Sequence, residues 1–369
     1  MTTMDSVAIA VVGAGLIGRT HIELVREHPA CRLAAIIDPD PAAGYLAEQA
    51  GVPRYASLVE AFSVSRPDGA VVATPNTTHV DCAMECVTAG VPVLVEKPIA
   101  DNVADAERLV TVASAAGVPL LVGHHRRHSP VLATAREIVA HGTLGDPVTL
   151  MGSAMFYKPD GYFEAAPWRR EPGGGPILIN MIHEVDALRA LYGEIAEVQA
   201  TASTSTRGFA VEDTVAISLR FASGALGTFL LSDTAASVRS WEQTSGENPG
   251  YAHAGDEDCY ILTGTRGSLA IPTMRLTTYQ RRPGWTEPFH TTAVEVPRRD
   301  PLRAQLDHFH AVLRAGTPPL VTGRDGVRTL RATQAIAEAA RTGAPVPIPG
   351  TAEQADHSQQ GAQEEPAWP

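Results

Sequence analysis

The chain has 369 residues and a formal net charge of −12, from 29 lysines and arginines against 41 aspartates and glutamates. That length allows two domains with proper cores, and 44% hydrophobic with 19% charged residues is the balance of a soluble globular protein. The acidic balance excludes nucleic acid and anionic membrane as partners, because both demand a basic surface, and no apolar run is long enough to span a membrane.

The N-terminus lacks a basic region ahead of its first apolar run, which argues against a secretory signal. Four scattered cysteines do not make a disulfide framework. Cys82 and Cys86, four apart on one helix, read as small buried residues. These features together read as a reduced cytoplasmic protein.

In chain order, "VAIAVVGAGLIGRTHIELV" reads as a strand, a glycine turn and an amphipathic helix. Gly13, Gly15 and Gly18 fit G-x-G-x-x-G: one glycine for the tight turn, one for close approach to a pyrophosphate, one for helix–strand packing. The first helical residues, Leu16 and Ile17, then offer unpaired N–H groups to phosphate. The next apolar run, "CRLAAIIDPD", ends in Asp38, where a carboxylate accepts from a ribose hydroxyl and repels a 2′-phosphate. No cation follows Asp38 directly, so the reading favours NAD over NADP.

Strands and helices continue to alternate through "DGAVVATPNTTHVDCAMECVTAG", "VPVLVEKPIADNVADAERLVTVASAAG" and "VPLLVGHHRRHSP". This alternation implies a doubly wound parallel sheet with ligands at the carboxyl ends of its strands. The loops there hold Thr74, Pro75, Asn76 and His79, then Glu96 and Lys97, then "GHHRRH". A lysine directly after a buried strand sits where its ammonium would stabilise a developing alkoxide. His125 and Arg126 suit a hydroxyl-rich or anionic substrate, and an extended loop would point alternate residues oppositely. Three histidines without an accompanying carboxylate do not read as a metal site.

Further on, "MFYKPDGYFEAAPWRREPGGGP" reads as a strand and a long loop. Tyr157, Lys158, Trp168 and Arg169 read as a substrate-cavity wall, the alternative being that Trp168 only anchors the loop. In "GGGPILINMIHEVD" an amphipathic helix carries His183, with Asn180 one turn before it and Asp186 one turn after. His183 is either a proton-transfer group or a polar residue on a structural helix. The irregular "SWEQTSGENPGYAHAGDEDCY" reads as a rim loop or an oligomer contact, and the polar residues 350–369 as a disordered tail.

The glycine loop, "ATPNTTH", "EKP", "GHHRR", the "GGG…H-x-x-D" helix, "VEDTVAISLRFASGALGTF" and the closing helices occur in one order along the chain. In this the sequence resembles the Gfo/Idh/MocA family of glucose–fructose oxidoreductase and inositol dehydrogenase. The resemblance implies a Rossmann domain over 1–123 and, over 124–349, an α+β domain with a large, mostly antiparallel sheet. It implies an NAD-dependent enzyme acting on a secondary alcohol or ketone of a sugar or cyclitol. It further implies Lys97 at the nicotinamide ribose and reacting oxygen, His183 as the acid–base group, and Arg126 with its neighbours at the substrate. It also implies a homo-oligomer, dimer or tetramer, through an exposed sheet face.

The chain departs from many family members at one place: four residues before His183, where they carry Asp, stands Ile179, followed by Asn180. An amide orients but supplies no negative charge to favour imidazolium. Three readings stay open: His183 as the acid–base group positioned by Asn180 and assisted by Lys97; Lys97 alone handling the proton; or a non-catalytic NAD-binding sensor. A reductase of an imine or unsaturated ring is the alternative enzyme.

Overall fold

The computed structural model describes residues 6–350; the expectation for the tail falls outside that range, Gly350 apart. The chain divides into two compact units. Among the described residues, one runs to Ser129 and resumes over Arg299–Leu330; the other takes Pro130–Arg298 and 331–350. The first unit is therefore not contiguous, unlike the boundary drawn from sequence. The apolar face of the helix Pro301–Ala315, with Leu306, Phe309 and Val312, completes a core cluster with Val7, Ile9 and Val11. Such a return is a long-range packing event with no local signal.

In the first unit, β1 (Val7–Val12), β2 (Cys31–Ile37), β3 (Arg54–Tyr55), β4 (Gly69–Val72), β5 (Val93–Glu96) and β6 (Leu120–Gly123) form one sheet. Its order is β3-β2-β1-β4-β5-β6, and every pairing is parallel. All six residues of β1 are buried, as expected of a strand covered on both faces. Val7, Ile9 and Val11 join one hydrophobic cluster, while Ala10 and Val12 join another, the two-residue alternation of a strand sorting them to opposite faces. Strand order reverses between β1 and β4, the switch point beside which doubly wound sheets bind ligands.

In the second unit, β7 (Pro147–Met155), β8 (Ile195–Ser203), β9 (Thr214–Phe221), β10 (Leu226–Ser232), β11 (Tyr260–Gly264), β12 (Gly267–Ile271), β13 (Arg275–Tyr279), β14 (Phe289–Ala293) and β15 (Val346–Pro347) form a second sheet. Its order is β14-β13-β12-β11-β7-β10-β9-β8-β15, antiparallel except between β7 and β10. Along β9, Val215, Ile217, Leu219 and Phe221 are buried while Ala216, Ser218 and Arg220 are exposed, so one face carries the core and the other is open. The helices Pro130–Ala140 and Ile182–Tyr192 supply buried residues to that core.

Two stretches read as loops take on local structure. "GHHRRH" is not extended: His125–His128 form a 3-10 turn with Arg126 and Arg127 buried. The irregular stretch after β10 contains a short helix, Trp241–Ser245, whose Trp241 is buried and donates to Glu247 at 3.0 Å.

Candidate active site

The polar residues singled out in the first unit follow directly on the carboxyl ends of its strands: Gly13 after β1, Asp38 after β2, Thr74 close after β4, Glu96 and Lys97 at β5, His124 after β6. The three glycines meet different surroundings. Gly13 has φ +94°, which disfavours any side chain, and a Cβ there would lie 2.6 Å from the Ala73 carbonyl oxygen. A Cβ on Gly18 would lie 2.1 Å from the Gly13 carbonyl oxygen, so helix and turn touch. Gly15, at an ordinary φ of −70°, would meet nothing within 4 Å. It caps the helix Leu16–Glu27, whose first residue Leu16 is 86% exposed and whose first turn holds no acid.

Asp38 faces this loop. Its Oδ2 accepts from Ala14 N at 2.7 Å and its Oδ1 from Asp40 N at 2.8 Å, and each oxygen keeps a lone pair for a further donor. Together the open Gly15, the helix N-terminus and the tethered carboxylate fit a dinucleotide.

Beyond β4, Pro75 and Asn76 are exposed and Thr74 is half-buried. His79 is buried, with Nδ1 2.7 Å from the Pro98 carbonyl and Nε2 2.9 Å from the Thr74 carbonyl. Its ring therefore ties the β4 and β5 loops together, and burial draws its pKa down against the pull of those carbonyls. Glu96 is committed inside the unit as well. Its Oε1 lies 2.8 Å from Nε2 of the buried His21, and Lys97 N donates to its Oε2 at 3.2 Å. Lys97 itself is half-buried.

Burial by itself would push the Glu96 carboxyl up. The His21 hydrogen bond and charge, with Lys97 and His125, outweigh it and bring the pKa from 4.5 to about 2. A carboxyl depressed in the folded state stabilises the fold above its unfolded pKa, and that contribution disappears as pH falls through the folded value. The wild type is therefore expected to lose about 3 kcal/mol between pH 4.5 and about 2. Glu96→Gln should flatten that part of the curve, read from urea midpoints measured across pH.

The second unit carries its own polar cluster, at the adjacent ends of β7 and β10. Lys158 N donates to the Asp233 carbonyl at 2.9 Å. Arg207 links the same two residues, through Nη2 to the Lys158 carbonyl at 2.7 Å and Nε to Asp233 Oδ1 at 3.0 Å. Lys158 is 8% exposed. Its Nζ donates to Asn180 Oδ1 at 2.7 Å, pairs with Asp233 Oδ2 at 3.3 Å and stands 4.9 Å from the Tyr162 ring centroid. Burial lowers its pKa to about 8, against Asp233 and with help from Arg169 and Arg207.

The helix bearing His183 opens differently from the amphipathic α-helix expected. Ile177–Met181 form a π-helical turn before the α-helix Ile182–Tyr192, a widening frequent at functional sites. Glu212 caps its entry, accepting from Ile177 N at 2.9 Å. A Cβ on Gly175 would lie 2.3 Å from that carboxylate, which accounts for the last glycine of the triplet. Asn180 and His183 are half-buried, while the flanking Glu184 and Asp186 are fully buried, Glu184 accepting from the Tyr260 hydroxyl. Arg169 stacks 3.7 Å from the Tyr162 centroid, and Tyr157 and Trp168 are exposed.

Thus Tyr157, Trp168, Arg169, Asn180 and His183 lie in the second unit, and His125 and Arg126 in the first with the nucleotide residues. Sequence reading missed His21, Arg207, Glu212 and Asp233; His21 and Glu212 lie inside quoted stretches, but no spacing there marks their roles.

Residues 7–124 match an oxidoreductase family with an NAD-binding Rossmann fold, and residues 132–270 match the Gfo/Idh/MocA C-terminal domain. The chain belongs to the Gfo/Idh/MocA family. It is an oxidoreductase of that family, and both sheets have the expected form. It is 30% identical to the rhizopine catabolism protein MocA of Rhizobium meliloti over 52% of this chain and 59% of that protein. It is 28% identical to the inositol 2-dehydrogenase of Rubrobacter xylanophilus over 92% of this chain and 93% of that one. Among solved structures it resembles the WlbA dehydrogenase of Bordetella pertussis in complex with NADH and UDP-GlcNAcA. That match has a TM-score of 0.75 at 25% identity, covering 93% of this chain and 99% of that one. Among the described residues no helix is long and apolar enough to cross a membrane.

Proposed function

We propose that this Gfo/Idh/MocA protein is an NAD-dependent dehydrogenase or reductase that passes hydride between nicotinamide and the secondary alcohol or ketone of a sugar-like or cyclitol substrate. The observation that carries the reading is the glycine loop, open only at Gly15 and faced by the Asp38 carboxylate. Gly13, Gly15, Leu16, Ile17, Gly18, Asp38, Thr74, Pro75 and Asn76 hold the nucleotide. His79 and Glu96 support its loops from behind.

Bound nicotinamide would supply or accept the hydride. Lys97 and His183 handle the hydroxyl proton, the lysine ammonium stabilising developing alkoxide and the imidazole taking the proton. Asn180 orients. His125, Arg126, Tyr157, Trp168 and Arg169 contact the substrate. The inositol 2-dehydrogenase among the relatives supports a cyclic polyol framework.

NADH formation from NAD⁺, followed by absorbance against inositols, aldoses and sugar acids, tests this. At least one should turn over, and none doing so would sink the reading. NAD is preferred over NADP because Asp38 repels a 2′-phosphate. Asp38→Ser is expected to narrow the NAD⁺ over NADP⁺ ratio of kcat/KM by about tenfold or more, some 1.4 kcal/mol. An unchanged ratio would remove Asp38 from that role.

The open face of the second sheet exposes Met151, Leu226, Leu230 and Ile261, with Met151 paired beside both Thr228 and Ile261. We assign this face to self-association as a dimer or tetramer. Light scattering should show an oligomer that Leu230→Lys weakens. The four cysteines are free thiols, which suits a cytoplasmic setting.

A further inference from the structure

We propose that Lys158, Arg169 and Asn180 form a receptor for an anionic group on the substrate, so that the substrate is a polyhydroxy acid and not a neutral polyol. This rests on the reading of the second unit's cluster as the substrate side.

Three observations carry it. First, two cations share one aromatic ring: Lys158 Nζ stands 4.9 Å and Arg169 Cζ 3.7 Å from the Tyr162 centroid. Second, Arg169 has no carboxylate of its own. Lys158 and Arg207 share Asp233, at 3.3 and 3.0 Å, and Arg207 has Asp160 at 3.8 Å as well. Arg169 has no ion pair among the described residues; its Nη1 donates to the Tyr162 carbonyl at 2.6 Å and its buried Nε meets no acceptor.

Third, the cluster is composed of donors. Lysine and arginine accept nothing, and the Asn180 amide oxygen already accepts from Lys158 at 2.7 Å, which leaves it one lone pair. That bond also fixes the amide, with the oxygen toward the ammonium and the NH₂ group turned away from it. A neutral polyol hydroxyl needs an acceptor for its proton, and against their many donors these three groups offer a single lone pair. A carboxylate is acceptor-only and matches such a set, with charge-assisted bonds to the cations. Burial holds the Lys158 pKa near 8, a desolvation cost that an incoming anion would offset.

The test is calorimetric titration of the NADH-bound full chain with matched pairs, D-gluconate against D-glucitol and L-tartrate against L-threitol. Each pair differs in carboxylate for CH₂OH. Each acid is expected to bind about tenfold or more tighter than its neutral partner, and Arg169→Gln and Lys158→Met each to weaken the acid by about tenfold or more, some 1.4 kcal/mol. Should Lys158→Met fail to fold, its buried Asp233 partner losing one of two cations, the half-buried Arg169 still decides the matter.

Equal binding of acid and neutral partner, acid binding indifferent to the substitutions, or no acid binding would overturn the proposal. Turnover of the same compounds with NAD⁺ in place of NADH separates it from the functional reading. Acid binding that depends on both residues without any hydride transfer would break the dehydrogenase reading and leave the anion receptor standing. Turnover confined to neutral polyols would do the reverse.

Discussion

Gly15→Val is expected to fold like the wild type, with an unchanged melting temperature, and to lose NADH affinity by about 100-fold or more, some 2.7 kcal/mol. The two halves of that result come from one position. A Cβ at Gly15 meets no protein atom beyond its chain neighbours within 4 Å, and its φ of −70° suits any residue, so the backbone there tolerates a side chain. What the side chain would fill is the space through which a pyrophosphate approaches the N-terminus of Leu16–Glu27. Gly18 makes the contrast. A Cβ there sits 2.1 Å from the Gly13 carbonyl oxygen, so Gly18→Val should damage the fold and the nucleotide site together. Fluorescence titration with NADH beside a thermal melt reads both. A Gly15→Val protein that binds NADH normally would move the nucleotide elsewhere.

His183→Ala and Lys97→Ala are each expected to lower kcat by about 10²–10⁴, the usual worth of a positioned proton-transfer group, with NADH affinity little changed for His183→Ala. Lys97 follows Glu96, whose carboxylate His21 holds ionised and buried. The lysine ammonium is the group that stabilises an alkoxide. His183 has no carboxylate at Asn180 to favour imidazolium. If Lys97 alone carries the proton, Lys97→Ala should be the far more damaging of the two, and His183→Ala should raise KM instead of lowering kcat.

Much of this fold is legible in the sequence because its signals are local. Continuous apolar strands such as Val7–Val12 and Val93–Glu96, punctuated by glycine turns, announce a parallel sheet, and alternation in Thr214–Phe221 announces a half-open one. The return of Pro301–Ala315 to the first unit is not legible, because an amphipathic helix shows that it has an apolar face and not which sheet it covers.

The site divides the same way. Gly13, Asp38, Lys97 and His183 stand in motifs whose spacing has a mechanical reason. His21 and Asp233 do not. His21 meets Glu96 across 75 residues and Asp233 meets Lys158 across 75 more, and in the sequence either could pass for a residue that faces only water. The π-turn at Ile177–Met181 is likewise silent there, although it determines how Asn180 is presented one turn before His183.

The proposed reaction passes hydride directly between substrate carbon and nicotinamide. The measurement that tests it most directly follows deuterium from the carbinol carbon of a bound polyol or polyhydroxy acid into NADH, read by mass spectrometry. One deuterium retained in the NADH, and no labelled NADH from Lys97→Ala on the same time scale, is the expected result. Label lost to water, or no labelled NADH from any substrate that binds, would contradict the account.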